Sequence, residues 1–502
     1  MTWKSGGEGI KAMVLAWALV WGSSSAWAFD YSLADDPWCR RLLENLEIRG
    51  RTSLLKGYGP YSYQEIAVFM DDLPDETWLD YYEMGLKAFN PVYDAALFAT
   101  TALDIDPEKE AGESNLVTWA KGGVLVGHDE WSMAGTYQMK AGKQGGEFDG
   151  RKSWRGFSGR SDQVYIRYSG QRSHLQIGKD RLWMGLGLVM SGGNSFERIQ
   201  AEYRFNRNIK LFFFTGQIDK TFDSAVVYNR FLAGHRAEFS IGGLQLGLSE
   251  IAIYGGQGRY IEPYYFLPLY VFQAEQLNQT LTDDNIIWDM DIKAIKPPFR
   301  FKAELMVDDF QIDRETESDR EPTEAGFAAQ ADWAWMDRPL MITTGAKYQM
   351  VTNWTFNQPG SWNRFLLNGL PLGLEYGNDY QNISMETVML GKRGRGGLEI
   401  YLLRKGEGTI ETDWTEPWIN DPDWKPKFPS GTIESRLGVK TEISYCLKRM
   451  AANGIGGGCL VNIGADWARV KNRGHLPGQS GTDWNIRLGI EGMFYSDLFT
   501  ID

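Results

Sequence analysis

The chain has 502 residues, a net charge of −13, 57 glycines and 20 tryptophans, and 14% of its residues are aromatic. That charge balance argues against a nucleic-acid partner, because phosphate binding needs clustered Lys and Arg. Mean hydropathy is −0.36, and past the N-terminus no stretch offers the roughly 18 apolar residues a membrane helix needs.

The first residues read as an export signal. Lys4 and Lys11 form a positive region, residues 12–21 a short apolar core, and Ala26-Trp27-Ala28 a small-x-small cleavage pattern. Residues 1–28 are therefore expected to be a signal peptide, with the mature chain starting at Phe29. Residues 29–105 read as helical. Leu42, Leu43, Leu46 and Ile48 share one face and lead to a stop at Gly50. Ser62 and Glu65 have the spacing of a capping box opening a helix at Ile66–Met70, and a third helix is expected over Glu76–Phe89. This region is expected to be a small periplasmic subdomain, a packing element or a plug.

Residues 106–502 change period. Ile199, Ala201, Tyr203 and Phe205 alternate with Arg198, Gln200, Glu202 and Arg204. Phe299, Phe301, Ala303 and Leu305 alternate with Arg300, Lys302 and Glu304, and Ile486, Leu488 and Ile490 repeat the pattern near the end. Period two is a strand with one apolar and one polar face. A soluble sandwich turns the apolar face inward, whereas a membrane barrel turns it toward lipid and lines a wet lumen with the charges.

The connections decide between these. Short turns at Ser169–Ser173, Asn206–Asn208, Lys296–Pro298, Met336–Pro339 and Lys392–Arg395 alternate with long loops at Tyr254–Asp284, Gln311–Thr323, Thr352–Tyr380, Gly406–Ser430 and Lys471–Asp483. That alternation, with Trp and Tyr enough for two aromatic girdles, specifies an all-β protein. The fold class is a transmembrane antiparallel β-barrel of about 16–18 strands with a small N-terminal α-helical subdomain. A monomer in contact with outer-membrane lipid is expected. Cys446 and Cys459 flank a Gly-rich turn and are a candidate disulfide, although strand phasing sets them on opposite faces.

No catalytic constellation emerges. His235 and Ser240 fall on opposite faces of one strand, and no His, Cys or Asp cluster has metal-ligand spacing, so neither an enzyme nor a cofactor is expected. The acidic stretch Asp308–Glu321 lacks the spacing of a calcium loop and reads as surface charge. The glycines around Gly185 and Gly187 read as tight turning. Arg198, Arg204, Arg236, Arg300 and Lys302, interleaved with Glu202, Glu238 and Glu304, read as a lumenal ion-pair row. Such a row braces and obstructs a closed lumen or filters anions in an open one. The loop Tyr254–Asp284 sets Tyr260, Tyr264 and Tyr265 beside Glu262, the mixture of ring faces and carboxylates that sugars require, or else folds upon its own aromatics in the barrel mouth.

Several blocks resemble one known family. These are residues 59–65 at the capping box, residues 175–187 with Arg181 and Trp183 before Gly185 and Gly187, residues 246–256, residues 260–268, and residues 304–311 with Asp308. Together they resemble the Wzi capsule-assembly family of outer-membrane barrels, with a departure at Leu186, where the family pattern has a place for Pro. The resemblance implies 18 strands, a helical bundle at the periplasmic side and loops that close the pore. It also implies a non-catalytic, lectin-like role in holding capsular polysaccharide. Arg181, Trp183, Tyr260, Glu262, Tyr264, Tyr265 and Asp308 are the candidate polysaccharide contacts, and a diffusion channel for small solutes is the alternative.

Overall fold

The computed structural model describes residues 37–62, 65, 95–106, 115–128, 130–141, 157–223, 226–278, 284–309, 321–337, 340–391, 393–421, 423–452 and 455–499. The expected signal peptide, the helices at Ile66–Met70 and Glu76–Phe89, and most of the acidic stretch after Asp308 lie outside these residues.

Among the described residues, eighteen antiparallel strands form one closed barrel. The ring runs in sequence order, each strand pairing with the next, and closes where Ala95–Asp106 pairs with Ser480–Phe499. The strands run from 8 residues at Ser173–Asp180 to 20 at Ser480–Phe499, against the roughly 9–11 a tilted strand needs to cross a bilayer. No described helix is long and apolar enough to cross a membrane. Ala95–Asp106 is itself a barrel strand, so the barrel begins before the expected boundary at residue 106. One long loop is shorter than expected, since the last strand already starts at Ser480.

The alternation works as the residues demand. Tyr203 and Phe205 are exposed on the outer wall, while Arg198 and Glu202, on the alternate positions of the same strand, are buried in the lumen. Trp288, Met290 and Ile292 repeat the outward pattern against buried Asp289, Asp291 and Lys293. Apart from the connection between Asp223 and Val226, short turns lie at one end of the barrel and the longer connections at the other.

Cys446 and Cys459 are not bridged. A bulge between Cys446 and Lys448 shifts the register, so Cys446 faces Leu460 and Cys459 faces Lys448. The two cysteines therefore do not oppose each other across the ladder, as a bridge would need.

Candidate functional site

The lumen is filled from both ends. At the short-turn end the helix Pro37–Ile48 enters the barrel, in place of the expected separate periplasmic unit. It stops as its sequence requires. Gly50 takes φ +68, Arg51 N–H donates to the Leu46 carbonyl at 3.0 Å, and Gly50 N–H to Glu47 at 2.9 Å. This is a Schellman cap, and glycine is the residue that adopts it without strain.

The polar side of the helix meets the wall. Arg300 Nη2 lies 3.2 Å from Glu44 and Arg300 Nε 2.9 Å from Asp332. Lys302 reaches Glu44 at 3.3 Å, and Lys293 reaches Glu47 at 2.7 Å. Arg49 donates to the carbonyls of Met336 and Ile342 at the short-turn rim. Burial raises the Glu44 carboxyl, but Lys302, Arg300 and Arg40 outweigh it and hold the pKa well below the usual carboxylate range.

The chain then continues through Leu55–Ser62 inside the barrel. Gly57 N–H donates to Glu238 at 2.7 Å, and Tyr58 stacks on Phe212 at 4.7 Å. Lys56 bridges Glu65 at 2.9 Å and Glu202 at 3.6 Å, while Arg204 joins the same two carboxylates. Burial lowers the Lys56 ammonium, but Glu65 and Glu202 together push its pKa up. The capping box is present, with Glu65 N–H donating to Ser62 Oγ and Ser62 N–H to Glu65.

Above this level the loop after Asp180 turns inward and hangs from the wall. Glu304 accepts the N–H groups of Leu186 and of Leu188, the latter at 3.1 Å. Arg198 donates to the carbonyls of Asp180 and Arg181. Gly185 at φ +53 and Gly187 at φ +92 supply the turning. Trp183 pairs with Gly59, lies under the Arg40 guanidinium at 3.7 Å and meets Tyr61 edge-on. Trp183 is thus a structural side chain inside the plug. Arg181 is tied to Asp162 at 3.2 Å.

From the long-loop end residues 352–379 fold inward. Leu366–Leu367 and Leu370–Pro371 form a hairpin over Asn368 and Gly369, both at positive φ, as a tight Asn-Gly turn requires. Arg230 clamps this hairpin by donating to the carbonyls of Trp362, Arg364 and Leu366. Asp308, half-buried, accepts the Phe356 N–H at 2.5 Å, so it is part of this clamp and not solvated surface charge. Asp379 accepts from Gly408, Ser430 N–H and Ser430 Oγ, which holds the next loop across the opening.

The result is an apolar core inside the barrel. Met184, Leu188 and Met190 from one loop, and Phe356, Phe365 and Leu367 from another, pack against inward wall residues such as Phe214, Leu232, Ile253 and Met306. Each such side chain contributes about 1.5–3 kcal/mol when fully buried. Arg236 is fully buried among Asp291, Glu238 and Ser249. Arg204, Arg236, Arg300 and Lys302 of the lumenal row are thus ion-paired, while Arg198 and Glu304 bond backbone groups, and many of these partners lie on inserted chain. That could not be inferred from strand alternation.

Above the plug, Trp354, Trp414 and Trp424 surround the buried Trp418, the contacting ring centroids lying 5.6–6.3 Å apart. Trp418 is buried and the other three are half-buried at the rim. Sequence reasoning passed over this group. Its signal was three tryptophans, Trp414, Trp418 and Trp424, within one loop.

The aromatic loop after Tyr254 is not in the mouth. Phe231, Ala233, Ala252, Tyr254 and Ile286 belong to the outward faces of three adjacent strands, and Tyr265 and Phe272 cover them. Tyr265 stacks on Tyr254 at 4.1 Å and donates to Asp284 at 2.7 Å, while Tyr264 donates to Glu262. Glu262 also pairs with Arg259 at 2.8 Å. Tyr264, Tyr265 and Glu262 therefore fasten a loop to the outside wall, and Tyr260 stands exposed. Of the seven candidate contacts, the structure brings only these loop residues together. Arg181 and Trp183 belong to the plug, and Asp308 is a wall residue that holds it.

His235 and Ser240 lie on opposite faces of their strand, and among the described residues no group of His, Cys, Asp and Glu has metal-binding geometry.

Eighteen antiparallel strands, an apolar outer wall, a charged inner wall, and short turns opposite long loops define an outer-membrane β-barrel protein, here with a filled lumen. No known family model and no curated protein matches the chain. Among solved structures it is similar to Wzi of Escherichia coli, an outer membrane protein involved in group 1 capsule assembly and a carbohydrate-binding β-barrel. The TM-score is 0.62 at 15% identity, covering 91% of this chain and 98% of Wzi. OccAB1 of Acinetobacter baumannii and the outer membrane protein OprD of Pseudomonas aeruginosa each give a TM-score of 0.46 at 9% identity. They cover 81% and 80% of this chain, and 96% and 94% of their own. At these identities the likeness is one of fold.

Proposed function

We propose that this chain binds or assembles polysaccharide at the cell surface, without catalysis, through the long-loop end of a plugged barrel. One observation carries the reading: the lumen holds an apolar core and wall-anchored inserted chain in place of a water column. A solute channel needs a wet path. The half-buried indoles of Trp354, Trp414 and Trp424 at the rim offer ring faces for sugar CH groups. The likeness in fold to a carbohydrate-binding barrel supports the same reading.

The loop between Lys405 and Glu434 narrows the glycan class. It carries six carboxylates against two lysines, which favours a neutral or amino-sugar polymer over a polyanion.

The test is conductance of the refolded protein in planar bilayers, followed by retention of cell-surface polysaccharide on the immobilised barrel. A silent barrel that retains glycan supports the proposal. Steady, large openings without retention would make the protein a diffusion channel.

A further inference from the structure

The loop fastened to the outside wall hides a polar pair. His235 and Glu250 face each other on adjacent strands, 3.2 Å apart, and both point away from the lumen. Glu250 is 1% exposed, because the loop covers it and donates two N–H groups to its carboxylate. These come from Phe272 at 2.8 Å and Gln273 at 3.0 Å. The ring of Phe272 lies 4.5 Å from that of His235.

The height of this pair on the wall matters. His235 stands six residues from the short turn that follows Ile241. At about 3.3 Å per residue and a tilt near 40°, that is roughly 15 Å up the barrel, inside an apolar band about 25 Å tall. Trp288, paired directly with Glu250 on the next strand, is 48% exposed on the same wall. A carboxylate facing lipid at this level is costly, and the loop replaces lipid over it.

The loop's own outer surface is apolar. Leu269 is 83% exposed, Leu267 52% and Val271 47%. Its polar groups turn the other way: Tyr270 donates to Glu275, and Arg259 is held by Glu262 and Asp284. Water would be a poor solvent for such a face, and it continues the apolar wall formed by Trp288 and Met290.

We infer that residues 267–271 are a membrane-inserted collar. Leu267, Leu269 and Val271 dock into the acyl-chain zone of the bilayer beside the barrel, and Glu250 is the anchor that sets the loop there. This inference rests on the barrel fold and not on polysaccharide binding, so either can fail alone.

The test places the photocrosslinker p-benzoylphenylalanine at Leu269 or at Trp288 in the full chain, irradiates intact outer membranes and weighs the products. Lipid-mass adducts at both positions are the expected result. A dimer or a heterologous protein adduct at Leu269 would overturn the inference, as would no lipid adduct there while Trp288 gives one. In Glu250→Ala the lipid yield at Leu269 is expected to fall severalfold, with that at Trp288 unchanged. An unchanged yield at Leu269 would remove Glu250 from the anchoring role.

Discussion

Arg300, on a barrel strand, lies 3.2 Å from Glu44, on a helix more than 250 residues earlier in the chain, and both are largely shielded from water. Arg300 also serves Asp332 and Glu47. Removing one member of a buried ionic group strands the rest, at about 3–5 kcal/mol. Arg300→Leu is therefore expected to lower thermal stability by that order and to loosen the helix from the wall. Thermal melting in detergent checks the first effect, and a rise in single-channel conductance over the silent parent checks the second.

The same contact sets an acid limit on the plug. The folded pKa of Glu44 is depressed, so its contribution is fully present above the unfolded value of about 4.3 and is lost as pH falls toward the folded one. Plug retention is expected to stay flat from neutrality to about pH 5 and to weaken below about pH 4. Glu44→Gln should be weaker at neutral pH and show a shallower acid transition. Protease access to residues 37–62, measured across pH, reads both; identical acid transitions in the two proteins would contradict the assignment.

How much of this was written in the sequence depends on what each signal reports. Period-two alternation reports faces, and it set Tyr203 outward and Glu202 inward correctly. It misses Ala95–Asp106, where no charge falls before Asp104, so the segment reads as readily as helix. Alternation also cannot say what covers an outward residue. Phe231 and Ala233 look alike whether lipid or a loop lies over them. The legible hint was the pair His235 and Glu250, polar residues in an otherwise apolar outward row. Likewise the wall charges were legible, but not that Arg198, Arg230 and Glu304 bond to backbone groups of inserted chain. Backbone partners leave no mark in side-chain chemistry.

Gly185 tests that inserted loop. Its φ is +53, and an added Cβ would stand 2.7 Å from Glu304 Oε2. Gly185→Ala combines left-handed strain of about 1–2 kcal/mol with displacement of the carboxylate that holds Leu186 and Leu188. A lower melting temperature is expected, with new channel openings as the loop leaves the wall. Wild-type stability and silence would show that the loop is not held through Glu304.

The rim tryptophans separate recognition from folding. Trp424 is half-buried at the mouth, whereas Trp418 is 2% exposed among the other indoles. Trp424→Ala removes one stacking face, at about 0.5–1.5 kcal/mol, or roughly 2- to 12-fold in glycan affinity. Its melting temperature should stay near that of the parent. Trp418→Ala opens a cavity and should cost about 3–5 kcal/mol of stability. Glycan affinity measured beside thermal melting distinguishes the two. If Trp424→Ala binds surface polysaccharide as tightly as the parent, the rim cluster is packing alone, and the binding face must lie on other long-loop residues.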